Sequence, residues 1–163
     1  MKPLLLALLA AGSLLASCSA SGGVEPDPVW RQARVEAPSD NVLWKVALLS
    51  LEQSDFPLIG GMDPSSGIVM SGWKTQLQPF HGEGDRQRAE IRMEPVAERL
   101  WMVKARVQRQ RNMALASPLD ATRAEWKWDA ENPVAAEILL RHIVSLFDSD
   151  PIARDDETRT PAR

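Results

Sequence analysis

The chain has 163 residues, a formal net charge of −3 and a single cysteine. The near balance of charges lacks the signature of a nucleic-acid-binding domain or of a polybasic membrane patch. One cysteine excludes disulfides within the chain and metal sites built from cysteine pairs. The length suits one domain with its own hydrophobic core.

The first 17 residues have the three-part layout of a secretory signal. Lys2 supplies a short positive region, an apolar run of Leu and Ala covers residues 4–11, and small residues precede Cys18. The apolar run is shorter than the roughly 20 residues that span a membrane. We therefore predict that residues 1–17 are a signal peptide.

The end of this segment, Leu15-Ala16-Ser17-Cys18, resembles the lipobox of bacterial lipoproteins. In that class the cysteine thiol receives a diacylglyceryl group, the peptide is cut just before the cysteine, and the new amine is acylated. The resemblance implies lipidation at Cys18, and two or more acyl chains hold a protein stably on a membrane. The residue after the cysteine is Ser19. In such lipoproteins an Asp at this position would favour the inner membrane, so its absence favours the outer membrane, facing the periplasm. The alternative is an ordinary exported protein with a chance cysteine.

Composition then divides the rest of the chain. Residues 18–38 are rich in Ser, Gly, Ala and Pro, which predicts a flexible linker after the lipidated cysteine. Residues 150–163 are charged and contain two prolines, which predicts a disordered tail. The folded domain is therefore predicted over residues 39–149.

The patterns inside this domain predict an α+β fold. Ser39 or Asp40 can cap a first helix, and Asn132-Pro133 is a typical start for a last helix. Alternation of apolar and polar residues predicts the strands between them. The helices are predicted over 41–54 and 133–148, and the strands over 56–59, 68–77, 86–94 and 100–110, with a short fifth strand over 123–128. We expect an antiparallel sheet of four to five strands with the N-terminal and the C-terminal helix packed on one face.

The third and fourth predicted strands alternate most clearly, and they predict a register. Placing Met93 opposite Trp101, and Glu90 opposite Lys104, keeps the apolar side chains on the face towards the helices. This register centres the connection on Ala97 with an odd number of residues, so a two-residue hairpin turn is not expected. Three tryptophans lie on the predicted inward faces of their elements, where core packing explains them without a ligand: Trp44, Trp73 and Trp101.

The outer face of these two strands is the candidate binding surface. Its basic residues are Arg86, Arg88, Arg92, Lys104 and Arg106, with Arg109 and Arg111 as an extension. In the predicted register Arg88 lies opposite Arg106, and like charges in register are costly unless an anion relieves them. Two interpretations stay open. The face docks an acidic partner or anionic envelope material, or it is a solvated face moderated by Glu90 and Glu94.

The order of several short motifs resembles a proteobacterial lipoprotein family known only as a domain of unknown function. The motifs are Leu43-Trp44, Asp63-Pro64-x-x-Gly67-Ile68 with Trp73, and Val107-x-Arg109-Gln110. The resemblance covers roughly residues 41–147, although the family usually has Thr-Asp-Trp where this chain has Ser71-Gly72-Trp73. More remotely, the layout is similar to the domains of BamC, a lipoprotein of the β-barrel assembly machinery. These resemblances imply a fold and a compartment but no activity.

No catalytic or metal-binding group is predicted. Ser71-Gly72-Trp73-Lys74 and Ser39-Asp40-Asn41 match signatures of penicillin-recognising enzymes, but in reversed order and without the third motif. His81, Glu83 and Asp85 could offer metal ligands, but no second cluster completes a site, and a solvated loop explains them. His142 is expected at the edge of the last helix, partly buried and hydrogen-bonded.

The sequence therefore predicts a non-enzymatic envelope lipoprotein without a cofactor or metal, held to the membrane through Cys18. We expect a partner-binding or assembly accessory module, with an envelope protein rather than nucleic acid as its partner. The alternative is a periplasmic lipid- or glycan-binding domain, or a hydrolase with a pocket that the sequence does not reveal.

Overall fold

The structure is a computed structural model that describes residues 23–59, 62–78, 83–114 and 119–148. The predicted signal peptide, Cys18 and the predicted tail from residue 150 lie outside the described residues. In chain order the elements are β1 (Arg31–Glu36), α1 (Asp40–Gln53), a 3₁₀ turn (Pro64–Ser66), β2 (Ile68–Met70), β3 (Lys74–Gln78), β4 (Glu83–Ala97), β5 (Leu100–Asn112), β6 (Trp126–Asp129) and α2 (Pro133–Asp148).

These elements form an open antiparallel sheet with two helices, which confirms the predicted α+β class. The sheet has six strands among the described residues, rather than four to five. Its centre is the long hairpin of β4 and β5. The shorter strands β1 and β6 pair with β5, and β2 and β3 pair with β4.

Both helices pack against one face of the hairpin and form the core with it. Ser39 caps α1, because its Oγ accepts a hydrogen bond from the Val42 N–H at 3.3 Å. Asn132 caps α2 in the same way, through the Ala135 N–H at 3.1 Å. The fully buried core side chains include Leu43, Leu51, Ile91, Val103, Leu139 and Ile143. Each buried Leu or Ile contributes about 1.5–3 kcal/mol, so these contacts hold the helices to the sheet.

Strand β1 is the main correction to the predicted organisation. It lies in the segment predicted to be a flexible linker, and it pairs with β5 along its full length. Ala33 and Val35 face the core opposite Val103 and Trp101. Only these two small apolar positions mark the strand, and charged residues flank them, so its composition resembles that of a linker. The linker prediction is wrong for residues 31–36.

The segment after α1 also differs from the prediction. Residues 56–59 are not a strand, and the single strand predicted over 68–77 is divided into β2 and β3. The division occurs at Ser71, whose Oγ accepts a hydrogen bond from the Ala89 N–H at 2.8 Å. Next to it, the Gly72 N–H donates to the Pro57 carbonyl at 2.7 Å and fixes the preceding loop.

The register of the central hairpin is shifted by two residues from the predicted one. Met93 pairs with Val103, Glu90 with Arg106, and Arg88 with Gln108. The predicted like-charge pair of Arg88 and Arg106 is therefore wrong. The strands extend further than predicted, to a bulge between Pro95 and Ala97 and a two-residue turn in which Arg99 has a positive φ of 58°. A shift of two residues keeps every side chain on its predicted face, so the apolar pattern alone does not distinguish the two registers.

Candidate functional site

The outer face of the sheet, away from the helices, carries alternating arginine and tryptophan side chains. Arg86 lies between two indole rings, with its Cζ 4.5 Å from the ring centroid of Trp73 and 4.7 Å from that of Trp126. Arg88 lies over Trp73 at 4.7 Å and over Trp128 at 6.0 Å. We call the side chains of Trp73, Trp126, Trp128, Arg86 and Arg88 the tryptophan–arginine surface.

Strand alternation brings these groups together. Arg86 and Arg88 occupy outward positions of β4, and Trp126 and Trp128 occupy outward positions of β6 on the other side of β5. Cation–π contacts of this kind contribute about 0.5–1 kcal/mol at exposed sites and more where water is excluded. The indoles thus hold two guanidinium groups side by side.

Trp73 was predicted to face the core, and that prediction is wrong. It precedes β3 and contacts the two outward arginines and Trp128, whose ring centroid is 6.0 Å away. The three-residue connection between β2 and β3 interrupts the alternation on which the prediction rested. Trp44 is 7% exposed and lies in the core as predicted, and Trp101 packs against the core partly buried.

A second group on the same face is an ion-pair network around two buried carboxylates. Glu90 accepts from Arg92 and from Arg106, each at 2.7 Å, and Arg106 also lies 3.3 Å from Glu131. The side chains of Glu90, Glu131 and Arg106 are only 3%, 1% and 12% exposed. The network therefore satisfies Arg92 and Arg106 internally and serves the fold.

The segment before β1 completes this network. Glu131 accepts a hydrogen bond from the Val29 N–H at 2.6 Å, and Trp30 lies under the guanidinium groups of Arg92 and Arg106 at 4.7 and 5.1 Å. Glu25 accepts from Arg106 and from the Nε2 of Gln108. Residues 25–30, also predicted to be linker, thus run across the outer face of the sheet.

Lys104 is neutralised as well. Its Nζ lies 2.8 Å from a carboxylate oxygen of Glu94, and both side chains are partly exposed. Exposed pairs of this kind contribute about 0–1 kcal/mol, so the pair adds little to stability. It does neutralise the charge of Lys104.

Arg86 and Arg88 differ from their neighbours because no carboxylate of the described residues lies within ion-pair distance of them. Their Nε atoms donate to the side-chain oxygens of Gln110 and Gln108, the first at 2.8 Å. Burial and the neighbouring charge of Arg88 lower the pKa of Arg86 from its usual value. The Nη donors of both arginines have no protein acceptor in the part of the chain that the structure describes. Two adjacent guanidinium groups in this state can bind one anionic group with charge-assisted hydrogen bonds.

All five basic residues of the predicted partner face lie on the outer face, but the structure separates them into two sets. Arg92, Lys104 and Arg106 are ion-paired, whereas Arg86 and Arg88 have no ion-pair partner among the described residues. The predicted extension is wrong: Arg109 and Arg111 point to the other face of β5, where both contact Asp129, at 2.9 and 3.2 Å. The tryptophans were missed as site residues, although the spacing of Trp126 and Trp128 already placed both on one face of a strand.

A small cleft on the helix side contains the other notable polar cluster. Ser54 Oγ lies 3.2 Å from Nδ1 of His142, and Lys74 Nζ donates to the Ser54 carbonyl at 3.1 Å. With Phe56 and residues of α2 they line a cavity of about 220 Å³. His142 is partly buried and hydrogen-bonded, as predicted. No carboxylate among the described residues orients its ring, so a catalytic triad is not assembled there.

Within the described ranges, no group of three or more His, Cys, Asp or Glu side chains is arranged to hold a metal ion. His81, one of the three loop residues considered as ligands, lies outside the described residues. No described helix is long and apolar enough to cross a membrane. No protein-family model matches the sequence, and no curated protein is significantly similar to it.

Proposed function

We propose that the chain is a lipid-anchored, non-enzymatic envelope protein, a partner-binding or assembly accessory module that holds an anionic group of its partner on the tryptophan–arginine surface. One observation carries this proposal: Arg86 and Arg88 lie side by side between indole rings, without a carboxylate among the described residues. Guanidinium groups bind carboxylates and phosphates in a planar, bidentate manner, and the surrounding indoles preorganise them for it.

The anchoring part of the proposal rests on the first eighteen residues. Lys2, the apolar run over residues 4–11 and the Leu15-Ala16-Ser17-Cys18 motif support export and lipidation at Cys18. Ser19 supports the outer membrane. The resemblance to an uncharacterised lipoprotein family, and more remotely to BamC, supports the same compartment.

The cleft at Ser54 and His142 is the observation that favours the alternative, a lipid- or glycan-binding domain or a hydrolase. Its volume of about 220 Å³ is below the roughly 300–1,000 Å³ of typical ligand pockets. Its serine and histidine also lack the third, orienting group of a nucleophilic site. We therefore favour binding on the outer face over chemistry in the cleft.

Replacing Arg86 and Arg88 by glutamine tests the binding surface. Charge-assisted hydrogen bonds contribute about 1.5–3 kcal/mol each, so losing two should weaken binding of the partner at least about 100-fold. The measurement is cross-linking and pull-down of the lipidated protein from its own envelope. The matched control replaces Arg123 and Arg141, both 76% exposed, by glutamine and changes the net charge equally. If the Arg86→Gln/Arg88→Gln protein keeps every cross-linked protein and phospholipid that the control keeps, the proposed surface is wrong.

A further inference from the structure

The position of Glu25 determines how far the tryptophan–arginine surface can lie from a lipid on Cys18. Glu25 is hydrogen-bonded to Gln108, and Gln108 in turn accepts from the Nε of Arg88. The chain therefore reaches the outer face beside Arg88. Glu25 follows Cys18 by seven residues, and an extended chain of that length spans at most about 25 Å.

This short tether differs from the flexible spacer of some twenty residues that the sequence suggests. A lipid at Cys18 would therefore keep the outer face of the sheet within about 25 Å of the membrane. The helices lie on the opposite face, with the core between them and the surface.

The chemistry of the surface fits a layer of lipid headgroups. Tryptophan is enriched where membranes meet water, because its ring is apolar and its N–H is polar. Arginine binds phosphate in a bidentate manner, and basic residues near an anionic leaflet are attracted to it. The tryptophan–arginine surface combines both residue types. The Nη atoms of Arg86 and Arg88 donate to no acceptor among the described residues and are available to a phosphate.

We propose that the tryptophan–arginine surface lies on the phospholipid headgroups of the membrane that holds Cys18, with Arg86 and Arg88 binding lipid phosphate. This inference rests on the proposed function, because it assigns the anionic group to the membrane itself. The lipid supplies the affinity, and the surface sets the orientation of the domain on the bilayer.

Vesicle binding tests this inference without the lipid anchor. The mature chain, residues 18–163 with Cys18→Ser, is mixed with phosphatidylcholine vesicles with and without phosphatidylglycerol, and the bound fraction is measured by sedimentation. We expect binding that depends on phosphatidylglycerol and that falls about 30-fold in the Arg86→Gln/Arg88→Gln chain, since each basic residue near an anionic surface contributes about 1 kcal/mol. The Arg123→Gln/Arg141→Gln chain should bind like the parent, and thermal melting checks that every variant is folded.

Three outcomes would overturn the inference. The first is that the chain binds neither kind of vesicle. The second is that the Arg86→Gln/Arg88→Gln and Arg123→Gln/Arg141→Gln chains lose binding equally. The third is release by inorganic phosphate beyond that caused by sodium chloride of equal ionic strength, which would assign the arginines to a soluble phosphate. If vesicle binding fails while the Arg86→Gln/Arg88→Gln protein still loses a partner in the pull-down, the proposed function stands and only the membrane assignment is wrong.

Discussion

Replacing Arg106 by alanine should lower the free energy of unfolding by about 3–5 kcal/mol, the usual cost of breaking a buried ion pair. Arg106 is the cation between Glu90 and Glu131, whose side chains are 3% and 1% exposed. Without it, Glu131 retains only the Val29 N–H as a described partner, and its buried charge is left uncompensated. Chemical denaturation of the wild-type and variant chains measures this difference.

Lys104→Ala is the matched control for this prediction. Lys104 is the preceding outward residue of β5 and pairs with the exposed Glu94, so its loss should cost at most about 1 kcal/mol. Equal destabilisation by the two substitutions would contradict the distinction between a buried network and a surface pair. The same reasoning makes Arg106 unsuitable for testing partner binding, because its replacement would disturb the fold.

Replacing Cys18 by alanine should move the protein out of the membrane fraction. The thiol is the only group in the chain that can receive the diacylglyceryl group, because no other cysteine is present. One acyl chain binds a membrane only marginally, and two or more bind stably. Because all of the expected acyl chains are attached at Cys18, the substitution removes the whole anchor. Any membrane association that remains should come from the tryptophan–arginine surface and should be removed by salt, which screens charge.

The measurement is fractionation of the envelope before and after a salt wash, with the mass of the mature chain determined for both proteins. Ser21→Ala, which leaves the cysteine and its motif intact, should fractionate like the parent. Firm membrane association of the Cys18→Ala protein after the salt wash would show that another part of the chain provides the anchor.

The helices and the fold class could be predicted because their signals are local. A serine before an apolar stripe and an Asn-Pro pair mark the helix starts, and the caps at Ser39 and Asn132 are formed as expected. The register of the hairpin could not be predicted in this way. Two registers that differ by two residues bury the same side chains, and the observed one includes a bulge between Pro95 and Ala97 that the apolar pattern does not indicate.

The candidate site could be predicted only in part, for a similar reason. Alternation along two strands placed five basic residues on one face. Arg92 and Lys104 pair with Glu90 and Glu94 of the same hairpin. Arg106 is also held by Glu25 and Glu131, which reach the face from segments far away in the sequence. Strand β1 and the segment before it were missed because a short edge strand with charged outward positions has the composition of a linker.

Position-specific cross-linking tests the central claim most directly, since it reports which face of the domain contacts a ligand. A photo-reactive residue is placed at Thr75, which is exposed and lies opposite Arg86 on the outer face, or at Val134 on α2, which is 67% exposed. In the lipidated protein in its own envelope, we predict adducts with phospholipid or partner from position 75, their loss in the Arg86→Gln/Arg88→Gln background, and none from position 134. Adducts from position 134 alone, or adducts from position 75 that survive the two substitutions, would contradict the account.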